Sequence, residues 1–256
     1  MSAEAPTPPP WPVGTGRIVL DETDSTNAHA ARVAADLSGP TWILAHRQTA
    51  AHGRRGRPWA SLPGNFAATL AMRPEGTAEA AALRSFVAAL ALYDAFAAVT
   101  GRAGSFALKW PNDVLLNGGK VAGILLESAG AGRGVQRLAI GIGVNLVAAP
   151  SAAEVEPGAT PPVSLAGETG VAIGALEFLD HLAPAFASWE NRFSAFGFAP
   201  VRNAWLARAA RRGERVTART GTETHVGRFE TLDDDGALVI ATSEGRRAIA
   251  AADIFF

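Results

Sequence analysis

Gln48-Thr49-Ala50-Ala51-His52-Gly53-Arg54-Arg55-Gly56-Arg57-Pro58-Trp59 separates two apolar runs, residues 42–45 and 65–72. The first is short, continuous and apolar, as a buried strand is. The second alternates, with Phe66, Ala68, Leu70 and Met72 on one face, which predicts a half-buried strand. Between them Arg54, Arg55 and Arg57 are set around Gly53 and Gly56. Three guanidiniums on a Gly-broken segment repel one another and have no apolar face to bury, so a mobile loop is expected. An anion would order it: Arg forks bind phosphate or carboxylate bidentately, and glycines let backbone N–H groups come close. On this stretch alone, an anion-gripping loop and a plain solvated loop fit equally well.

Composition narrows the choice. The chain has 256 residues, 48% of them hydrophobic, enough for one large domain or a large and a small one. Lys+Arg 23 against Asp+Glu 24 leaves a net charge of -1, so the Arg cluster is local and not part of a nucleic-acid or lipid-coating surface. Cys 0 excludes disulfides, thiolate metal sites and Cys nucleophiles, and fits a reducing compartment. No signal-peptide pattern opens the chain, and Arg84, Ser85 and Asp94 interrupt its most apolar stretch, residues 83–99. A cytoplasmic protein without a membrane span is expected.

Working outward, residues 1–14 are Pro-rich and read as a disordered tail. A strand at 17–20 runs into Asp24-Ser25-Thr26-Asn27, a helix-capping cluster before a helix at 28–37. Residues 77–100 have helical periodicity and stop at Gly101. Strands follow at 106–110 and 114–116, then a turn at Asn117-Gly118-Gly119 and a strand at 121–127. A Gly-rich turn spans 130–134, and a strand at 137–146 holds Gly141 and Gly143, which suggests a bulge or a ligand against the backbone. An irregular connection, 151–162, precedes helices at 175–193 and 200–211. From 213 short strands recur at 215–219, 224–232, 237–242 and 246–250, the spacing of a small β barrel. Three parts result: a tail at 1–14, a catalytic-type domain at 15–212 and a β domain at 213–256.

Three further stretches carry chemistry beside the Arg loop. Asp24-Ser25-Thr26-Asn27 is either a simple cap or a set of hydroxyls and an amide for a small polar ligand. In Lys109-Trp110-Pro111-Asn112-Asp113, Pro111 turns the chain out of a strand and exposes Asn112 and Asp113. Lys120 precedes the apolar run 121–126, where it either snorkels to solvent or grips an anion. Asn145, after the two strand glycines, either orients a ligand or makes a turn. No P-loop, G-x-S-x-G elbow, zinc signature or Ser-His-Asp set is present. Nucleotide binding, phosphate transfer and carboxylate activation remain.

Taken in order, Asp24-Ser-Thr-Asn27, Gln48-Thr49, Gly53-Arg-Arg-Gly-Arg57, Trp59, Lys109-Trp-Pro-Asn-Asp113, Lys120-Val-Ala-Gly-Ile-Leu-Leu-Glu127 and Gly141-Ile-Gly-Val-Asn145 resemble the biotin protein ligase family. The resemblance implies an α+β fold: a mixed sheet with helices on one side, followed by an SH3-like barrel. It implies an enzyme that joins biotin and ATP into biotinyl-5′-AMP, releasing pyrophosphate. Biotin then passes to a lysine of the biotin carboxyl carrier protein of acetyl-CoA carboxylase. The implied ligands are biotin, ATP and Mg2+. By the same resemblance Ser25, Thr26, Asn27 and Gln48 bind the ureido ring, and Arg54 and Lys120 hold the biotin carboxylate and the developing adenylate. His52, Gly53, Gly123 and Gly141 line the biotin pocket. Arg55, Arg57, Trp59, Lys109, Asn112 and Asn145 lie on the nucleotide side, and Asp113 meets Mg–ATP or the incoming lysine.

The chain departs from the family pattern at Ala51-His52, where Gly-Arg is usual, and at Pro58; a stiffer loop is expected. The Pro-rich residues before Arg17 do not read as the winged helix-turn-helix of some relatives, so no DNA binding is expected. A homodimer through an exposed strand is compatible with the fold. A lipoate ligase, which shares the adenylation chemistry, is the rival enzyme; a non-enzymatic binding module is the rival from another class.

Overall fold

Alternation of large and small residues gives the main sheet two unlike faces. The computed structural model of the chain describes residues 7–130, 134–151, 154–156 and 158–255. Its strands are β1 (Gly16–Thr23), β2 (Thr41–Gln48), β3 (Phe66–Met72), β4 (Phe106–Lys109), β5 (Asp113–Leu116), β6 (Gly119–Ala129) and β7 (Arg137–Val144). They are ordered β1-β2-β3-β7-β6-β5-β4. β1 and β2 are parallel and the other pairs antiparallel. The helices are α1 (Thr26–Val33), α2 (Ala78–Ala82), α3 (Arg84–Thr100), α4 (Leu165–Thr169), α5 (Ala175–Phe196) and α6 (Phe198–Leu206).

Along β7, Leu138, Ile140, Ile142 and Val144 point one way and Ala139, Gly141 and Gly143 the other. The large side chains join Trp42, Leu44, Phe66 and Leu70 in one core with α3, α5 and α6. Phe96 of α3 stacks on Phe106 with centroids 4.9 Å apart, and its truncation to Ala would cost about 3–5 kcal/mol. On the small-residue face α1 sets Ala30 against Ile43, Ala71 and Ala139.

The structure corrects three expectations. The helices are not confined to one side of the sheet, because α1 covers the other. For the same reason β3 is not half-buried: every residue but Met72 is buried, since its second face lies under α1 rather than in water. The glycines of β7 mark no bulge either, and its register runs unbroken through both.

Other boundaries moved for local reasons. The helix expected at 77–100 breaks at Leu83 into α2 and α3, with Thr77 Oγ1 capping the first and left-handed Gly101 ending the second. Ala78–Thr100 is, by length and composition, apolar enough to cross a membrane despite Arg84 and Asp94. It is instead a core helix, 61% of its most apolar window being buried, with Arg84 ion-paired to Glu190 at 2.7 Å. The one-turn α4 falls just beyond the connection expected at 151–162, of which 152, 153 and 157 lie outside the described residues. Residues 131–133 of the expected Gly-rich turn also lie outside them. So do residues 1–6 of the expected disordered tail, but Trp11 anchors its second half. The indole donates to Thr15 O at 2.8 Å and lies under the Arg17 guanidinium at 3.8 Å.

The C-terminal strands are β8 (Arg215–Arg219), β9 (Thr224–Leu232), β10 (Leu238–Thr242), β11 (Gly245–Ile249) and β12 (Asp253–Phe255). The expected barrel takes the form of an antiparallel sheet ordered β11-β10-β9-β8-β12. It shares the main core through Phe229 and is tied to the other sheet where the Trp110 indole donates to Gly236 O at 3.0 Å. β12 was not foreseen, being only three residues long.

His181 of α5 is 3% exposed, and neither ring nitrogen has a hydrogen-bond partner among the described residues. Burial pushes its pKa below the ordinary value, which the Glu177 and Asp180 charges only partly offset. The unfolded chain therefore takes up a proton first as pH falls, and the stability due to neutral His181 is present above the unfolded pKa and lost below it. Thermal melts from about pH 7.5 to 5 should show a falling Tm in the wild type and a flatter dependence in His181→Leu. Identical slopes would mean that this histidine is not what titrates.

Candidate functional site

Where α1 stops covering the small-residue face, a cleft of about 510 Å³ opens, a size suited to a small-molecule ligand. Its floor is low because Gly141 and Gly143 have no side chains. A Cβ on Gly141 would overlap the Asn27 amide, and one on Gly143 would stand 2.5 Å from the Trp59 indole. The space expected to hold a ligand against these backbones is thus shared with Asn27 and Trp59.

One end of the cleft is neutral and hydrogen-bonding. Ser25 precedes α1 in an extended conformation, and its side chain makes no capping bond. The Thr26 N–H donates to Gln48 Oε1 at 2.8 Å, while the Gln48 N–H is held by Ser61 Oγ at 3.1 Å. Asn27 is 4% exposed; it accepts from Thr69 Oγ1 at 2.7 Å and donates to Glu127 Oε2 at 2.7 Å. His52 Nε2 stands 3.5 Å from Glu127 Oε1, closing the outer wall. Beyond that wall lies a second hollow of about 430 Å³ beside α1, which shares Asn27 and His52.

The other end is cationic. Lys120 Nζ is 2.7 Å from Asp113 Oδ1 and 5.6 Å from the Trp59 ring centroid. Lys109 is 8% exposed and donates to Thr160 Oγ1 at 2.6 Å; burial pushes its pKa down. Burial does the same to Arg54, whose guanidinium reaches Ala252 O at 3.4 Å. Arg55 and Arg57 both bond Asp253 Oδ2 at 2.7 Å, and Arg57 also pairs with Glu156 at 2.9 Å. The hydrogen bond to Asp253 raises the Arg57 pKa. Burial alone would raise the Asp253 carboxyl, but Arg57, Arg55 and Arg54 outweigh it and hold the carboxyl below its ordinary range.

Of the residues singled out from sequence, Ser25, Thr26, Asn27, Gln48, His52, Gly53, Arg54, Arg57, Trp59, Lys109, Asn112, Asp113, Lys120, Gly123, Gly141 and Asn145 line this cleft. Arg55 does not: with left-handed φ 59 it turns its guanidinium to Asp253. Asn112 and Asp113 are half-buried rather than exposed, and Asn112 straps the hairpin by donating to Ile124 O at 2.6 Å. Asn145 likewise ties down a turn, donating to Val163 O at 3.1 Å. The Arg loop, expected mobile until an anion binds, already rests on carboxylates of its own chain. Sequence reading missed Asp253, because β12 is too short to leave a pattern, and Thr69, which looks like any strand threonine. Glu156 sits in the irregular connection and carried no signal.

The chain matches the family profile for the biotin/lipoate A/B protein ligase family over residues 19–145 and that for the biotin protein ligase C terminal domain over 213–256. It is 62% identical over 238 residues to a biotin--[acetyl-CoA-carboxylase] ligase of Paracoccus denitrificans, covering 93% of this chain and 99% of that one. A ligase of the same name from Mycobacterium tuberculosis is 33% identical over 248 residues, 92% and 87% of the two chains. Among solved structures, the Aquifex aeolicus biotin protein ligase in complex with biotin and ATP superposes with a TM-score of 0.78 at 26% identity. It covers 93% of this chain and 97% of that one.

If Asp253 is what seats the Arg loop, Asp253→Asn should loosen it without unfolding the protein. Limited trypsin digestion should then cut after Arg54 or Arg55 several-fold faster than in the wild type, at an almost unchanged Tm. Equal cutting rates would show that the loop is held by other contacts.

Proposed function

Because the chain belongs to the biotin/lipoate A/B protein ligase family, we propose that its cleft joins biotin to ATP as biotinyl-5′-AMP and passes biotin to a lysine of the carrier protein of acetyl-CoA carboxylase. The protein is a biotin ligase. The observation that carries the residue assignment is the cleft's polarity, a neutral donor–acceptor end facing a cluster of half-buried cations around the buried Lys109. Biotin has matching ends, a ureido ring and a carboxylate. Ser25, Thr26 and Gln48 take the ring, and the acyl chain lies over Gly141 and Gly123 towards Lys120 and Arg54. A lipoate dithiolane has neither donors nor acceptors for the neutral end, which favours biotin.

In the first step a biotin carboxylate oxygen bonds to the α-phosphorus of ATP while the bond to the bridging oxygen breaks and pyrophosphate leaves. Two anions must meet, and Arg54 and Lys120 reduce their repulsion in a site shielded from water. Asp113 keeps the Lys120 ammonium in place at 2.7 Å. Magnesium arrives with ATP as part of that substrate. Among the described residues no group of three or more His, Asp or Glu side chains forms a metal site of its own. Arg57 and Lys109 face the phosphates, which displace the Asp253 and Glu156 carboxylates from the loop. In the second step the carrier lysine nitrogen bonds to the acyl carbon, AMP leaves, and Asp113 is the group placed to take the nitrogen's proton.

Biotin-dependent exchange of labelled pyrophosphate into ATP tests this reading. Lys120→Ala and Arg54→Ala should each reduce exchange by roughly a hundredfold. Exchange with lipoate but not biotin would move the chain to the sister activity, and none with either acid would refute adenylation. Gly141→Ala, by pushing into Asn27, should raise the KM for biotin and leave that for ATP nearly unchanged; equal effects on both would argue that the ring does not lie there.

A further inference from the structure

Glu127 stands outside the cleft's lining, yet the hydrogen bonds behind the neutral end run to it. Resting on the biotin-ligase reading, we propose that Glu127 is a positioning residue. Through Asn27 it sets the direction of a hydrogen-bond chain and so keeps Gln48 Oε1 free to accept a ureido N–H of biotin.

Four oxygens stand in a row: Gln48 Oε1, Thr26 Oγ1, Thr69 Oγ1 and Asn27 Oδ1, separated by 3.1, 2.8 and 2.7 Å. Both ends are carbonyl oxygens whose orientation is forced. Gln48 Oε1 must face the Thr26 backbone N–H, a donor at 2.8 Å. Asn27 must turn its nitrogen to Glu127 Oε2 at 2.7 Å and Leu125 O at 3.4 Å, because both are pure acceptors. Two hydroxyls then supply two protons to three contacts, so one contact holds none. The longest, between Thr26 and Gln48, is the one that gives way. Thr26 donates to Thr69, and Thr69 donates to Asn27. Gln48 Oε1, on the cleft wall, is left with one donor and one open lone pair.

Without the Glu127 carboxylate, the long contact to Leu125 O alone does not hold the Asn27 amide. The amide turns over, its nitrogen donates to Thr69, and every hydroxyl proton shifts to the next oxygen. Thr26 then donates to Gln48 Oε1 through both its N–H and its O–H, and no lone pair remains for the ligand. His52, on the other Glu127 oxygen at 3.5 Å, helps to keep that carboxylate at the wall.

The test uses pyrophosphate exchange with the full chain, measuring the KM for biotin and for ATP separately. Glu127→Leu should raise the biotin KM by about tenfold, the loss of roughly one hydrogen bond, with the ATP KM and Tm unchanged. Glu127→Gln keeps an acceptor for Asn27 and should stay within about threefold of the wild type. Thr69→Val ends the chain at Thr26, whose hydroxyl then falls to Gln48; it should reproduce the Leu effect and add nothing to it in the double variant. An unchanged biotin KM in Glu127→Leu, a matching rise for ATP, a Gln variant as poor as Leu, or additive effects would each overturn the proposal. A wild type that exchanges with lipoate alone would instead overturn the biotin reading beneath it.

Discussion

Cations gathered to receive anions are unstable company until the anions come. Arg54, Arg57, Lys109 and Lys120 crowd one end of a single cleft, all four partly or largely out of water, with Arg55 just outside it. Burying an unpaired charge is far costlier than burying a paired one. The fold meets this constraint by placing Asp113, Glu156 and Asp253 among the cations, from a hairpin, a connecting segment and the last strand. Those carboxylates pair the cations without a ligand, so this end of the cleft is held together by the chain alone.

The neutral end follows a different rule. Here the scarce quantity is room, and the sheet provides it by alternating bulk along β7. Large residues fill the three-helix core and small ones leave a floor on which Asn27 and Trp59 settle. The same alternation explains why α1 sits where it does. An Ala-rich helix can approach a face of Ala and Gly closely enough to set its first turn, Thr26 and Asn27, against Thr69. The packing of the core and the shape of the cleft are therefore two results of one pattern.

Much of this was legible in residue order. The strand–loop–strand unit around the Arg cluster, the Asn117-Gly118 turn, the Gly101 stop and the C-terminal strands each have a local signal, and the ordered motifs led to the family. The parts that stayed hidden depend on distant partners. Nothing near Arg55 says that a carboxylate will reach it from Asp253, and nothing near Gly141 distinguishes a bulge from a neighbour's amide. β3 was misjudged because its alternation describes only one face, whereas burial of the other is decided by α1. Asn112 and Asn145 looked like ligand contacts, but their amides also tie backbone carbonyls, a role that local sequence does not separate from binding.

The pair joining Arg55 to Asp253 spans 198 positions of the chain. Contacts between residues so far apart form only after the intervening structure has collapsed, because closing a long loop early is entropically unfavourable. The cationic end of the cleft is therefore a late product of folding, completed when the second sheet docks on the first. By the same token it is an early casualty of partial unfolding, and a molecule that has lost only its final strand's seating can keep its core intact while its Arg loop comes loose.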